Sequence, residues 1–142
     1  MFAKQLTVFV ENRTGRLCDV LEVLKANHVN ILSLSLADTT EFGLLRLIVD
    51  QPALGREKLT ENGFSSMLSD VSIIRITHAV GALQDLLKTL DRNRINIEYM
   101  YGLSIEGENA YVVLKASDSE KLDAALTDCG IVTISGEHLI NS

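Results

Sequence analysis

The chain has 142 residues, 46% of them hydrophobic and 23% charged, a balance that suits a globular protein and excludes a disordered one. Its net charge of −6 argues against nucleic acid as the partner, since a phosphate backbone demands clustered cations. The two cysteines, Cys18 and Cys129, have no paired spacing, which excludes a disulfide framework and a zinc ribbon.

In chain order, residues 6–10 alternate β-branched and other residues and read as a strand. Gly15 opens a helix whose apolar positions Leu17, Val20, Leu21 and Leu24 follow a 3.6-residue period, and His28 ends it. Residues 31–37 form a second strand, residues 38–41 a polar turn, and residues 44–49 a third strand. Asp50 before Pro52 suits a helix start with a capping carboxylate and an early proline. That helix stops at Asn62-Gly63, and a fourth strand follows at 65–69.

The pattern then repeats. Residues 71–77 read as a strand, 81–93 as a helix and 95–103 as a strand. Residues 106–109 give a turn signal and 110–116 a third strand. Ser117 or Asp118 caps a helix through residue 128, and 131–135 closes the series. The repetition is visible in the residues themselves. Gly15 recurs at Gly81, 66 positions on, and the same offset carries Leu21 to Leu87, Leu24 to Leu90, Asn27 to Asn93, Asn30 to Asn96 and Ile31 to Ile97. Continued without a gap, it places Leu47 on Val113 and Ile48 on Leu114.

The expected fold is therefore α+β: two ferredoxin-like βαββαβ units in tandem, residues 1–70 and 71–142, with helices on one face of each sheet. Units of this size are marginal alone and should lean on each other. Strands apolar on both faces, such as Phe9 against Val8 and Ile48 against Leu47, predict an open apolar sheet face and a face-to-face homodimer.

The segment 11–17 and the segment 29–31 carry the most chemistry. A glycine between strand and helix lets the backbone approach a ligand, and the helix's first turn offers unpaired N–H groups to a carboxylate. Asn12 and Asn30 can both donate and accept, as an amino acid's two charged ends require. Local capping by the same asparagines is the plainer alternative.

The string Asn12-Arg13-x-Gly15-x-Leu17, followed by Val29-Asn30-Ile31, resembles the ACT-domain pattern. Gly81-x-Leu83 followed by Ile95-Asn96-Ile97 resembles it again, so the likeness spans the whole chain as two ACT units. The resemblance implies sheets joined edge to edge through their second strands. It also implies a free amino acid bound between the strand-helix loop of one unit and the second-strand start of its neighbour. Carried onto this sequence, Asn12, Arg13, Gly15, Arg16 and Leu17 face Asn96 and Ile97, while His78, Gly81, Ala82 and Leu83 face Asn30 and Ile31. The two sites differ, because Asn12 becomes His78 and Arg16 becomes Ala82. The family often has proline before the glycine, where this chain has Thr14 and Val80. Arg16 reads as a surface charge before it reads as a carboxylate clamp, and Tyr99 and Tyr101 read as packing residues.

Catalysis finds no support. His28, His78 and His138 lie far apart, none has metal spacing with another His or Cys, and no phosphate-binding glycine motif occurs. An RNA-binding module of the same strand order would need paired aromatics on a basic sheet, and the corresponding strands are aliphatic. No cofactor and no metal are expected. The sequence thus predicts a non-enzymatic regulatory sensor of a free amino acid, acting on an amino-acid-metabolism enzyme, with a ligand-free oligomerisation module as the alternative. The start shows no secretory leader, and the longest uncharged apolar stretch, residues 29–37, is too short to span a bilayer. A cytoplasmic location without membrane contact is expected.

Overall fold

The structure is a computed structural model that describes residues 1–11, 14–38 and 42–136. Lys4–Ser69 forms one compact unit, and Asp70 onward, with Met1–Ala3, forms a second.

The first unit contains β1 (Ala3–Glu11), α1 (Arg16–Ala26), β2 (Ile31–Asp38), β3 (Phe42–Val49), α2 (Pro52–Glu61) and the start of β4 (Ser65–Thr77). β3 pairs antiparallel with both β2 and β1, and β4 lies beyond β1 in the strand order. The period-2 pattern read from the sequence points Leu6, Val8 and Val10 to one face, where they meet Leu45, Leu47 and Val49 of β3. Val20 and Leu24 of α1, Leu59 of α2 and Phe64 close this core. Gly55 lets α2 settle tightly on β1, since a Cβ there would stand 3.1 Å from Leu6 Cδ2.

The second unit continues β4 into α3 (Ala82–Arg92), β5 (Ile97–Glu106), β6 (Asn109–Ala116), α4 (Ser119–Asp128) and the short β7 (Thr133–Ile134). The order is β5-β6-β4-β7, all antiparallel. Ile74, Leu86, Leu90, Leu114, Ala116, Leu122 and Leu126 form its core. Asp118 caps α4, its carboxylate accepting from the Lys121 N–H at 3.0 Å, which resolves the choice between Ser117 and Asp118.

Five expectations are corrected. Residues 65–69 and 71–77 are not two strands but one, β4, which runs through Asp70 without a break. Asp50 does not cap α2: Gln51 holds that position without a capping side-chain bond, its Nε2 donating instead to the His28 carbonyl at 3.1 Å, and the Asp50 carboxylate accepts from the Asn30 N–H at 2.8 Å.

The gapless repeat also fails after β2. Leu47 belongs to the core against the helices, and its counterpart there is Leu114, 67 positions on, not Val113. The extra residue is Leu103: Gly102 pairs with Val112 but Ser104 with Tyr111, so two residues of β5 oppose one of β6. Such a bulge shifts the register by one and turns each following side chain to the other face.

The open apolar face is absent as well. Opposite the core of the first unit, β1 and β3 present Gln5, Thr7, Phe9, Leu44, Arg46 and Ile48, a mixed rather than apolar surface. Gln5 (0% exposed) and Ile48 (2%) are already shielded in a single chain, as are Ile73 and Val113 of the second unit. A face-to-face homodimer therefore loses the exposed surface that motivated it. Lastly, among the described residues β2 pairs with β3 and β5 with β6. Among the described residues no ladder joins the second strands β2 and β5 to each other.

Candidate functional site

Each unit has a strand-to-helix loop ending on a left-handed glycine. Gly15 has φ +88° and Gly81 φ +85°, and each occupies the position just before its helix. A residue with a Cβ adopts this backbone only with strain. Gly15 and Gly81 offer their helices no side-chain cap, so among the described residues the first-turn amides of α1 and α3 take no side-chain bond from the N-cap position. Asn12 and Arg13, expected beside Gly15, lie outside the described residues, as do the turn at 39–41 and His138.

Arg16 is neither a free surface charge nor a plain clamp. Its side chain is 22% exposed, its guanidinium carbon stands 4.3 Å from the centroid of the Phe64 ring, and Nη1 lies 3.4 Å from Asp19 Oδ2. A guanidinium over an aromatic face is attracted by the ring quadrupole. The Nε atom is buried and has no hydrogen-bond partner among the described residues. Phe64 carries this arrangement and was not singled out from the sequence, where it reads only as the residue after a helix-stopping glycine.

The asparagine pairs separate into two roles. Asn27 and Asn93 bond back to their own helices, donating from Nδ2 to the carbonyls of Val23 and Thr89, both at 2.8 Å, so they are helix ends. Asn30 and Asn96 sit at the starts of the second strands. The Asn30 carbonyl accepts from the Asp50 N–H at 3.1 Å, and the Asn96 carbonyl accepts from the Ser117 N–H at 3.0 Å. The Asn96 carboxamide donates to Ser117 Oγ at 2.7 Å. The neighbouring Ile31 and Ile97 are half-buried and pack against the cores of their own units.

Of the remaining expected residues, Leu17 and Leu83 are exposed on the first turns of α1 and α3. His78 is exposed, and its backbone N–H donates to the Glu108 carbonyl at 2.7 Å. Ala82 begins α3, its N–H donating to the Ala79 carbonyl at 3.2 Å. Tyr99 and Tyr101 stack along β5 with ring centroids 6.5 Å apart. No helix among the described residues is long and apolar enough to cross a membrane.

A family model described as ACT domain pair matches residues 1–140. Among solved structures, protein BT0572 from Bacteroides thetaiotaomicron is 35% identical with a TM-score of 0.89, over 94% of this chain and 92% of that one. The ligand-free regulatory subunit of aspartate kinase from Thermus thermophilus is 14% identical with a TM-score of 0.61, over 88% and 91%. Its counterpart from Thermus flavus is 14% identical with a TM-score of 0.58, over 90% and 93%. These last two speak to the fold alone. No curated protein matches. The paired glycine loops, the repeated strand order and a family match over nearly the whole length agree: the chain belongs to the ACT domain pair family.

Proposed function

We propose that this protein is a non-catalytic regulator that binds a free amino acid at its strand-to-helix loops, each unit being of the ferredoxin-like kind. The observation that carries the reading is the duplicated loop: a left-handed glycine, a helix start without a side-chain cap and an exposed leucine, at 15–17 and again at 81–83. In this reading the first-turn amides take the ligand's carboxylate, and Asn30 and Asn96 take its ammonium. Asn12 and Arg13 join the first loop, with Arg16 acting through its contact with Phe64. Two solved relatives named as regulatory subunits of aspartate kinase support regulation, and an amino-acid-metabolism enzyme in the cytoplasm is the proposed target.

The test is thermal unfolding of the full chain against each common amino acid at millimolar concentration. A ligand specific to the folded state, at about 100 times its dissociation constant, adds roughly 2.7 kcal/mol and raises the midpoint by several degrees. One or two related amino acids should do this, and Asn30→Ala with Asn96→Ala should abolish it. No shift with any amino acid refutes the reading.

One observation favours assembly as a second function. Leu34 and Leu36, on the core-side face of edge strand β2, are 51% and 52% exposed. An exposed apolar edge strand invites a further strand, and a second copy would supply it, giving a homodimer by a different surface from the sheet face. Light scattering should then show a dimer that Leu36→Lys converts to monomer. A wild-type monomer at all concentrations excludes this assembly.

A further inference from the structure

One end of the second unit carries apolar residues where the first unit has polar ones. The loop 78–81 before α3 lies there against the β5–β6 turn, tied to it by the His78 N–H donating to the Glu108 carbonyl at 2.7 Å. Ile105 pairs with Ala110, and Ala110 with Ile76. Ile76 packs on the core under the helices, so Ile105 stands on the helix side of the sheet. The bulge at Leu103 puts it there, because without the extra residue Ile105 would face the other way. Ile105 is 62% exposed, Val80 of the loop is fully exposed, and Leu83 on the first turn of α3 is exposed as well. Single exposed apolar residues are ordinary, but three at one end of a unit make a surface.

Folding does not demand these residues, since the first unit does without them. Its ladder row Val10–Gly43–Asp38 corresponds to Ile76–Ala110–Ile105, so Asp38 occupies the position of Ile105. Arg13 and Thr14 occupy those of Ala79 and Val80, 66 residues earlier.

The charge around the surface has one sign. Segments 76–87 and 100–114 contain no lysine or arginine, and their acidic residues Asp85, Glu106 and Glu108 are all exposed. A second copy docked by the same surface would set these carboxylates against their own duplicates, and an anionic lipid surface would be repelled. An apolar centre with an anionic rim is complementary to an apolar anchor flanked by cations.

We propose that this end of the second unit docks a basic amphipathic segment of a partner protein. Val80, Leu83 and Ile105 take its apolar side chains, while Glu106 and Glu108 pair with its lysines or arginines. The surface adjoins the loop 81–83 but does not require an amino acid to bind there, so the inference goes beyond the proposed function.

Fluorescence anisotropy of a labelled synthetic helical peptide, leucines on one face and lysines on the other, titrated with the full chain tests the proposal. Binding should saturate. Val80→Thr with Ile105→Asp installs the first unit's residues at exposed positions and should weaken binding about tenfold or more, with thermal unfolding as the check on folding. Glu106→Gln with Glu108→Gln should weaken it several-fold. Asp91→Asn with Glu98→Gln removes the same charge at the other ends of α3 and β5 and should leave it unchanged. Absence of saturable binding overturns the proposal, as does unchanged affinity in Val80→Thr with Ile105→Asp. Equal affinity for a peptide with glutamates in place of the lysines overturns it, and so does equal weakening by the two charge-removing pairs. If Val80→Thr with Ile105→Asp abolishes only self-association, or only binding to phosphatidylserine vesicles, the surface belongs to a second copy or a membrane and the proposal falls. The amino-acid thermal shift measured on Ile105→Asp keeps the two readings apart, because that variant leaves the loop 81–83 untouched.

Discussion

At Gly15 the backbone turns left-handed with nothing within 4 Å of where a Cβ would stand, and Gly81 repeats this. The demand at both positions is therefore purely conformational. Gly15→Ala should cost about 1 kcal/mol from backbone strain, read as a lower urea midpoint with an unchanged slope. An unchanged midpoint would mean that the loop relaxes out of the left-handed region. This residue-scale feature was legible in the sequence, because a glycine between strand and helix at a repeated spacing has few other uses. Arg16 was not legible. Its partner Phe64 lies 48 residues away in sequence, and nothing in local pattern announces a contact between the end of α2 and the start of α1. Asn27 and Asn93 were legible as a repeat but not as to role, and their bonds to the preceding turn make them structural.

At the scale of elements, helices were read well where one face is apolar. In α3, Leu86 and Leu90 fall on the buried side, and the second unit's core is built on them. Leu90 is fully buried, so Leu90→Ala should cost about 2–5 kcal/mol, combining lost transfer energy with a cavity. Equilibrium denaturation would measure it, and a loss below about 1 kcal/mol would show that the core collapses around the gap. Strands were harder. Asp70 looked like a break between two strands, yet it sits inside β4, because strand continuity is set by ladder partners and not by one charged residue. The bulge at Leu103 left no compositional mark. A bulge adds one residue without altering the alternation on either side, so a gapless alignment passed over it and exchanged the two faces of β6 for comparison with β3. Asp50 shows the same limit at a helix start. The residue type was right for a cap, but the N–H of Asn30 competes for its carboxylate and holds it.

For the whole molecule, two α+β units and their family were legible because duplication doubles a weak motif. The covering of the sheet faces was not. Continuous apolar runs state that both faces of a strand are buried, and they do not state by what. Ile48 and Gln5 are shielded within one chain, which moves the search for a partner surface to Leu34 and Leu36 on the edge strand.

The central claim is that this ACT domain pair is built to bind a free amino acid. Equilibrium titration of the purified full chain with whichever amino acid most raises its unfolding midpoint tests that claim most directly. The account predicts saturable binding in whole-number stoichiometry per chain, with selectivity for one or two related side chains. Heats or shifts that never saturate, or that are equal for all amino acids, would contradict it.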